Sequence, residues 1–213
     1  MTTKEKSKTN KTEQVVIAAP NFGYADFSIV GMAPYVQLKF AEKTKDELRR
    51  KHELGSQSRK GAKKEARDFD EDYRQAFHVS DEGWHGIPAS AFRKAMISAC
   101  RTVGFQMTKA KLSIFVEPDG FDRNEGTPLI RIEGEPEMKI DNVKNQTGVV
   151  DLRVRAMWRE WSAMVRVRFD ADFFSITDVS NLLARAGLQV GIGEGRPDSK
   201  NSAGMDWGLF KIE

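Results

Sequence analysis

Two stretches in the second half of the chain alternate with period two: Asp151-Leu152-Arg153-Val154-Arg155-Ala156-Met157 and Met164-Val165-Arg166-Val167-Arg168-Phe169. Successive side chains of a strand point to opposite faces, so each stretch predicts a strand with one apolar and one polar face. A chain carrying them must build a sheet whose apolar face is covered. The connection Trp158-Arg159-Glu160-Trp161-Ser162 is short enough to predict that the two form one hairpin. Arg153 and Arg155 share the polar face of the first strand, Arg166 and Arg168 that of the second. Like charges across a ladder are unfavourable unless something neutralises them. Two readings follow: an RNA surface, or a solvated face with Asp151, Glu160 and Asp170 as local partners.

The remaining elements read more simply. Residues 1–13 are polar and aperiodic, a tail with nothing to bury. Residues Phe27 to Phe40 read as extended, with a break near Gly31 and Pro34. Ala89 to Val103 carries an apolar stripe at helical spacing (Phe92, Met96, Cys100, Val103), starts beside Pro88 and stops at Gly104. Lys111 to Val116 and Leu129 to Ile132 read as strands, and residues 135–148 as a loop with a short strand. Ser175 to Ala186 is a helix opened by a Ser175/Asp178 capping box and stopped by Gly187. Leu209 to Ile212 is a last strand.

Two segments stand out by composition. Between Lys43 and Arg67, ten cations face four carboxylates, apolar residues are sparse, and Gly55 and Gly61 interrupt any long helix. Such a stretch cannot bury a core and reads as a basic, partly helical insertion, placed at residues 41–80. Its Arg49, Arg50, Lys51, Arg59, Lys60, Lys63 and Lys64 are candidate nucleic-acid contacts; a plain solvated face is the competing reading. The acidic run Asp68 to Asp72 could attract Mg²⁺, but fits better as the charged start of a helix. Near the C-terminus, five glycines fall within residues 191–208, with Arg196 and Lys200 among them. Glycine permits φ > 0 and close approach, and exposed amides beside cations can cradle an anion. Gly191, Gly193, Gly195, Arg196, Lys200 and Trp207 are therefore candidate backbone contacts; a long turn before an edge strand is the alternative.

At 213 residues, 39% hydrophobic and 31% charged, the chain is expected to form one charge-rich soluble domain over residues 15–213. No apolar run is long enough to span a bilayer. A single cysteine permits no internal disulfide or zinc cluster, fits a reducing cytoplasm, and at Cys100 reads as a small core residue. No cofactor or metal is expected.

With the insertion set aside, strands and helices follow the β-α-β-β-α-β order of an α+β, ferredoxin-like (RRM-like) core with an extra β hairpin. Here two motifs resemble a known group. Gly86-Ile87-Pro88-Ala89-Ser90-Ala91-Phe92-Arg93-Lys94-Ala95 is similar to the start of the first helix in the RAMP superfamily, which includes the backbone subunits of multi-subunit CRISPR effector complexes. Gly191-Ile192-Gly193 through Gly204-Met205-Asp206-Trp207-Gly208 is similar to the glycine-rich loop those proteins carry before their last strand. The layout also resembles a family of small phage and prophage proteins with the same type of ending. The resemblance implies a binder of single-stranded RNA or DNA that assembles side by side as a homo-oligomer along its ligand, in a bacterial host cytoplasm. It implies that Arg93 and Lys94, at the head of the helix, hold the backbone with Gly191, Gly193 and Arg196, and that the insertion acts as a finger or thumb. The loop here is longer than usual and contains Pro197-Asp198, a departure from the pattern.

The expectation is thus sequence-independent single-strand binding, with phosphates neutralised by Lys and Arg and bases stacked on aromatic faces. Trp84, Trp158, Trp161 and Trp207 are the candidate platforms. Two other classes compete: a RAMP-type endoribonuclease using His52, His78 or His85 as general base, and a protein-binding phage component or mimic of a CRISPR subunit.

Overall fold

Alternation decides which residues meet the core, and pairing decides which strands meet each other. The computed structural model describes residues 17–39, 46, 49–50, 52–53, 67–144, 150–199 and 204–213. It is a mixed α+β protein with antiparallel sheets. Strand β1 (Phe22–Gly31) turns its Phe27 and Ile29 inward, while Tyr24, Asp26 and Ser28 face out. Strand β2 (Tyr35–Gln37) follows after a break at residues 32–34. After the basic segment come α1 (Phe69–Arg74), β3 (His78–Val79), β4 (His85–Pro88) and α2 (Ala89–Ala99). Helix α3 (Met107–Ser113) leads into β5 (Ile114–Glu117), then β6 (Gly120–Phe121), β7 (Pro128–Glu133), β8 (Glu137–Lys144) and β9 (Val150–Trp158). Strand β10 (Ser162–Asp170), α4 (Ile176–Arg185), a π turn at Ala186–Val190 and β11 (Phe210–Ile212) complete the order.

Among the described residues there are two sheets. The larger runs β11-β1-β10-β7-β4-β3, with β5 also on β10 and β6 on β7; the smaller runs β2-β9-β8. One face of the larger sheet, including Phe27, Ile29, Val165 and Val167, packs with Phe92 and Met96 of α2 and Val179 and Leu183 of α4. Cys100 lies in this core, fully buried, and burial pushes its thiol up. Fully burying an aliphatic or aromatic side chain stabilises by roughly 1.5–3 kcal/mol, so this layer dominates the energetics.

The expected hairpin does not form between 151–157 and 164–169. Strand β10 pairs with β1 on one edge, from Phe22↔Asp170 to Val30↔Ser162, and with β5 and β7 on the other. Both edges are taken, so β9 has no place beside it. Instead β9 pairs with β8 from Glu137↔Met157 to Lys144↔Val150, and with β2. The real extra hairpin is therefore β8–β9, and residues 137–144, expected as mostly loop, are one of its strands. Trp158 and Trp161 flank the crossing between the sheets and are buried. Tyr35 packs against both, 5.5 and 5.7 Å between ring centroids, and the Trp161 Nε1–H donates to the Ala33 carbonyl at 2.9 Å. Neither tryptophan is a surface for stacking.

Smaller differences have local causes. Residues Lys111 to Ser113 end α3 instead of opening a strand, because Met107 to Leu112 are mostly good helix formers. Gly187 does not stop α4: the helix continues as a π turn, and a Cβ on Gly187 would meet the Phe210 ring and carbonyl of β11. The capping box forms as expected, Ser175 and Asp178 bonding each other's backbone N–H. Asp68 caps α1, accepting from the amides of Asp70 (3.0 Å) and Glu71 (3.1 Å), so the acidic run starts a helix. Tyr73, Ala76 and Phe77 then pack into the body, so the later part of the 41–80 segment belongs to the scaffold.

Candidate functional site

Helix α2 leaves one flank open because its stripe of large apolar residues faces the sheet. Helix α3 and the chain after the π turn stand on either side of that flank, and β2 closes one end. Between them lies a groove of about 520 Å³. Its lining brings together Lys94 of α2, Lys111 of α3 and Gly191, Gly193, Arg196 and Asp198 of the last loop. Lys94, Gly191, Gly193 and Arg196, expected in one site, do meet here. Lys111, expected on a strand, joins them from the end of α3.

The electrostatics of the groove are one-sided. Asp198 accepts from the Ser98 hydroxyl and from Arg101 Nη2 at 2.6 Å. The Ser98 bond is the largest influence; with Arg101 and Arg196 nearby it holds the Asp198 carboxyl below the usual range, against the opposing effect of burial. Glu194, the other groove carboxylate, has Arg155 Nη2 at 3.9 Å. Lys94 and Lys111 are exposed and, among the described residues, make no ion pair. Arg196 donates from Nη1 only to the Gly193 carbonyl, at 2.9 Å. Among the described residues, Lys94 and Lys111 therefore line the groove without a carboxylate partner, and Arg196 lies beside Asp198, whose closer cation is Arg101.

The glycine loop is largely folded on itself. The Gly191 N–H donates to the Ala186 carbonyl (2.9 Å), that of Ile192 to Gly208 (3.1 Å) and that of Glu194 to Val36 (2.9 Å). Gly191 is buried, and a Cβ on Gly193 would sit 2.5 Å from the Val36 carbonyl oxygen. These glycines let two runs of backbone approach each other, so the Gly191 amide is spent inside the protein. The N–H groups of Gly193, Gly195 and Arg196 make no such bond among the described residues. Trp207 covers Gly195 and is half-buried, with the Lys139 ammonium 5.2 Å from its ring centroid.

The four strand arginines do not form one surface. Arg153 and Arg155 stand on the smaller sheet, Arg166 and Arg168 on the larger. Arg155 is buried and donates to Asp141 at 2.7 Å. Arg153 is exposed and lies opposite Asp141 in register. Arg166 grips Asp26 through two bonds, 2.7 and 3.0 Å, and Arg168 donates to Glu117 at 2.6 Å. Local carboxylates thus neutralise three of the four, but these are Asp26, Glu117 and Asp141 rather than the neighbours expected from the sequence. Arg93 is half-buried and its donors are engaged: its guanidinium donates to the carbonyls of Ile114 (2.8 Å) and Lys111 (2.5 Å). Arg49 and Arg50 are helical and exposed, with Arg49 3.0 Å from Glu53. Lys51, Arg59, Lys60, Lys63, Lys64 and Lys200 lie outside the described residues.

One buried cluster gave no signal in the sequence. The Asp122 carboxylate accepts from Lys39 Nζ (3.0 and 3.1 Å) and from the amides of Asn124 and Glu125, and lies 2.8 Å from His78 Nδ1. No spacing rule links positions 39, 78 and 122. His78 borders the groove. His85 instead packs edge-on against Phe77 at 4.9 Å, and burial pushes its ring below the usual value. His52 is exposed on the helical part of the basic segment.

No protein-family model matches the chain, and no curated protein matches it. Among the described residues, no group of three or more His, Cys, Asp or Glu side chains could hold a metal ion, and no helix is long and apolar enough to cross a membrane.

Proposed function

We propose that the protein binds single-stranded nucleic acid without regard to sequence, with the sugar-phosphate chain lying in the groove between α2 and the last loop. The observation that carries this is the trio Lys94, Lys111 and Arg196, which converge on an open groove; among the described residues the two lysines make no ion pair, and Arg196 shares Asp198 with the closer Arg101. Cations in that state bind phosphates and release condensed counterions, which supplies sequence-independent affinity. The amides of Gly193 and Arg196 add uncharged donors beside them.

The fold reading supports the same conclusion. Taken alone, β11-β1-β10-β5 is an antiparallel order in which α2 lies between β1 and β5 in the chain and α4 between β10 and β11. That arrangement fits a ferredoxin-like core, to which β7, β4, β3 and the smaller sheet are additions. The two motifs similar to the RAMP superfamily flank the groove, one at the head of α2 and one in the loop. On this reading protomers line up along the strand, and the basic segment contacts the strand or the next protomer.

Fluorescence anisotropy with labelled single- and double-stranded oligonucleotides tests it. Single strands of any base composition should bind, and affinity should fall steeply as salt rises. Absence of binding, or a flat response to salt, overturns the proposal. Nucleic acid that copurifies, read from absorbance at 260 against 280 nm, is the quick supporting observation.

A further inference from the structure

The larger sheet has a second face, turned away from α2 and α4, and its composition differs from that of the groove. In register, Tyr24 of β1 lies beside Arg168 of β10, which lies beside Phe115 of β5. Neighbouring strands are about 4.8 Å apart, so the three side chains stand abreast. The Arg168 guanidinium lies 4.7 Å from the ring centroid of Phe22 and 4.4 Å from that of Phe115. Arg93 lies 4.9 Å from the Phe115 centroid as well. Phe22 and Phe115 meet edge to face at 5.9 Å. Tyr24, the third residue of β1, is 60% exposed.

Charge tells what this face fits. Arg166 and Arg168 are neutralised by Asp26 and Glu117, so the face has little attraction for phosphate. It offers the exposed Tyr24 ring beside a guanidinium backed by the half-buried Phe22 and Phe115 rings, groups on which a nucleobase can stack. It is also continuous with the groove. Arg93 donates to the carbonyl of Lys111, a groove residue, and covers the Phe115 ring of this face. Groove cations thus border an aromatic strip whose charges are paired, the layout that a strand with phosphates on one side and bases on the other requires.

We infer that Tyr24, beside the Arg168 guanidinium that Phe22 and Phe115 support, forms a base-stacking platform for the same single strand whose phosphates lie in the groove. The inference rests on the reading of the groove as a phosphate track, and separate measurements test the two. Affinity for labelled oligothymidylate is measured against an abasic oligomer of equal length, for wild type, Tyr24→Ala and Tyr24→Phe, across a salt series. Tyr24→Ala should weaken oligothymidylate binding by roughly tenfold, the scale of one lost stacking contact. The slope of log affinity against log salt should stay unchanged, because no phosphate contact is lost. Tyr24→Phe should bind like wild type, and the abasic oligomer should not distinguish the three. Wild-type binding that Tyr24→Ala leaves intact overturns the platform alone. Loss of self-association in Tyr24→Ala at unchanged affinity also overturns it, assigning the face to a second copy of the chain. Absence of any wild-type binding overturns groove and platform together.

Discussion

His78 and Asp122 meet inside the fold, imidazole Nδ1 2.8 Å from carboxylate Oδ2, with the Lys39 ammonium on the same carboxylate. An ionised carboxylate can only accept, so Nδ1 carries the proton. The side chain of Asp122 is fully buried and that of Lys39 nearly so. Replacing Asp122 by Asn leaves Lys39 without its closest counter-charge. Breaking a buried pair in this way costs about 3–5 kcal/mol, so Asp122→Asn should lower the midpoint of urea unfolding markedly without changing the slope.

The same cluster sets a pH dependence. Burial by itself raises a carboxyl pKa, but hydrogen bonds from His78, the Glu125 amide, Lys39 and the Asn124 amide outweigh it and hold Asp122 well below the usual range. A carboxyl depressed in the folded state stabilises fully above its unfolded value, about 3.9, and loses that contribution as pH falls through the folded value. The stability gap between wild type and Asp122→Asn should therefore be wide at neutral pH and narrow under strong acid. A gap that widens with acid contradicts this assignment.

Gly193 has φ of +76°, and a Cβ there would press on the Val36 carbonyl. Gly193→Ala should destabilise the protein by about 1–3 kcal/mol in the absence of any ligand, read by thermal unfolding. A neutral result would mean that the glycine serves a ligand's approach rather than the loop's contact with β2.

Arg166 is held by Asp26 through both carboxylate oxygens. Arg166→Gln should leave the salt slope of oligonucleotide binding unchanged, since that cation releases no counterions on binding. A shallower slope would place phosphate on the sheet face.

How much of this was legible in the sequence follows from how local each signal is. The capping box at Ser175 and Asp178, the Asp68 cap and the stripe residues Phe92, Met96 and Cys100 depend on near neighbours and are present in the fold, whereas Val103, expected to end that stripe, is exposed because the helix tightens into a 3-10 turn at Cys100–Val103. The pairing of β9 could not be read, because a short connection and matched alternation say nothing of β1, β5 and β7 competing for the edges of β10. The same limit applies to the site. Lys94 and Arg196 were visible through motifs, whereas Lys111 enters the groove only because α3 lies beside α2, and the Lys39–Asp122–His78 cluster joins three distant segments. The arginines of β9 and β10 were visible as a pattern, but their partners Asp26, Glu117 and Asp141 come from other strands.

The central claim is that Lys94, Lys111 and Arg196 grip phosphates. The measurement that tests it most directly is the salt dependence of single-strand binding by a variant with all three changed to Gln. Each phosphate contact contributes about 0.7 to the slope for a single strand, so the variant's slope should be shallower by about 2, with weaker binding at low salt and an unchanged unfolding midpoint. A folded variant that keeps the wild-type slope would contradict the account.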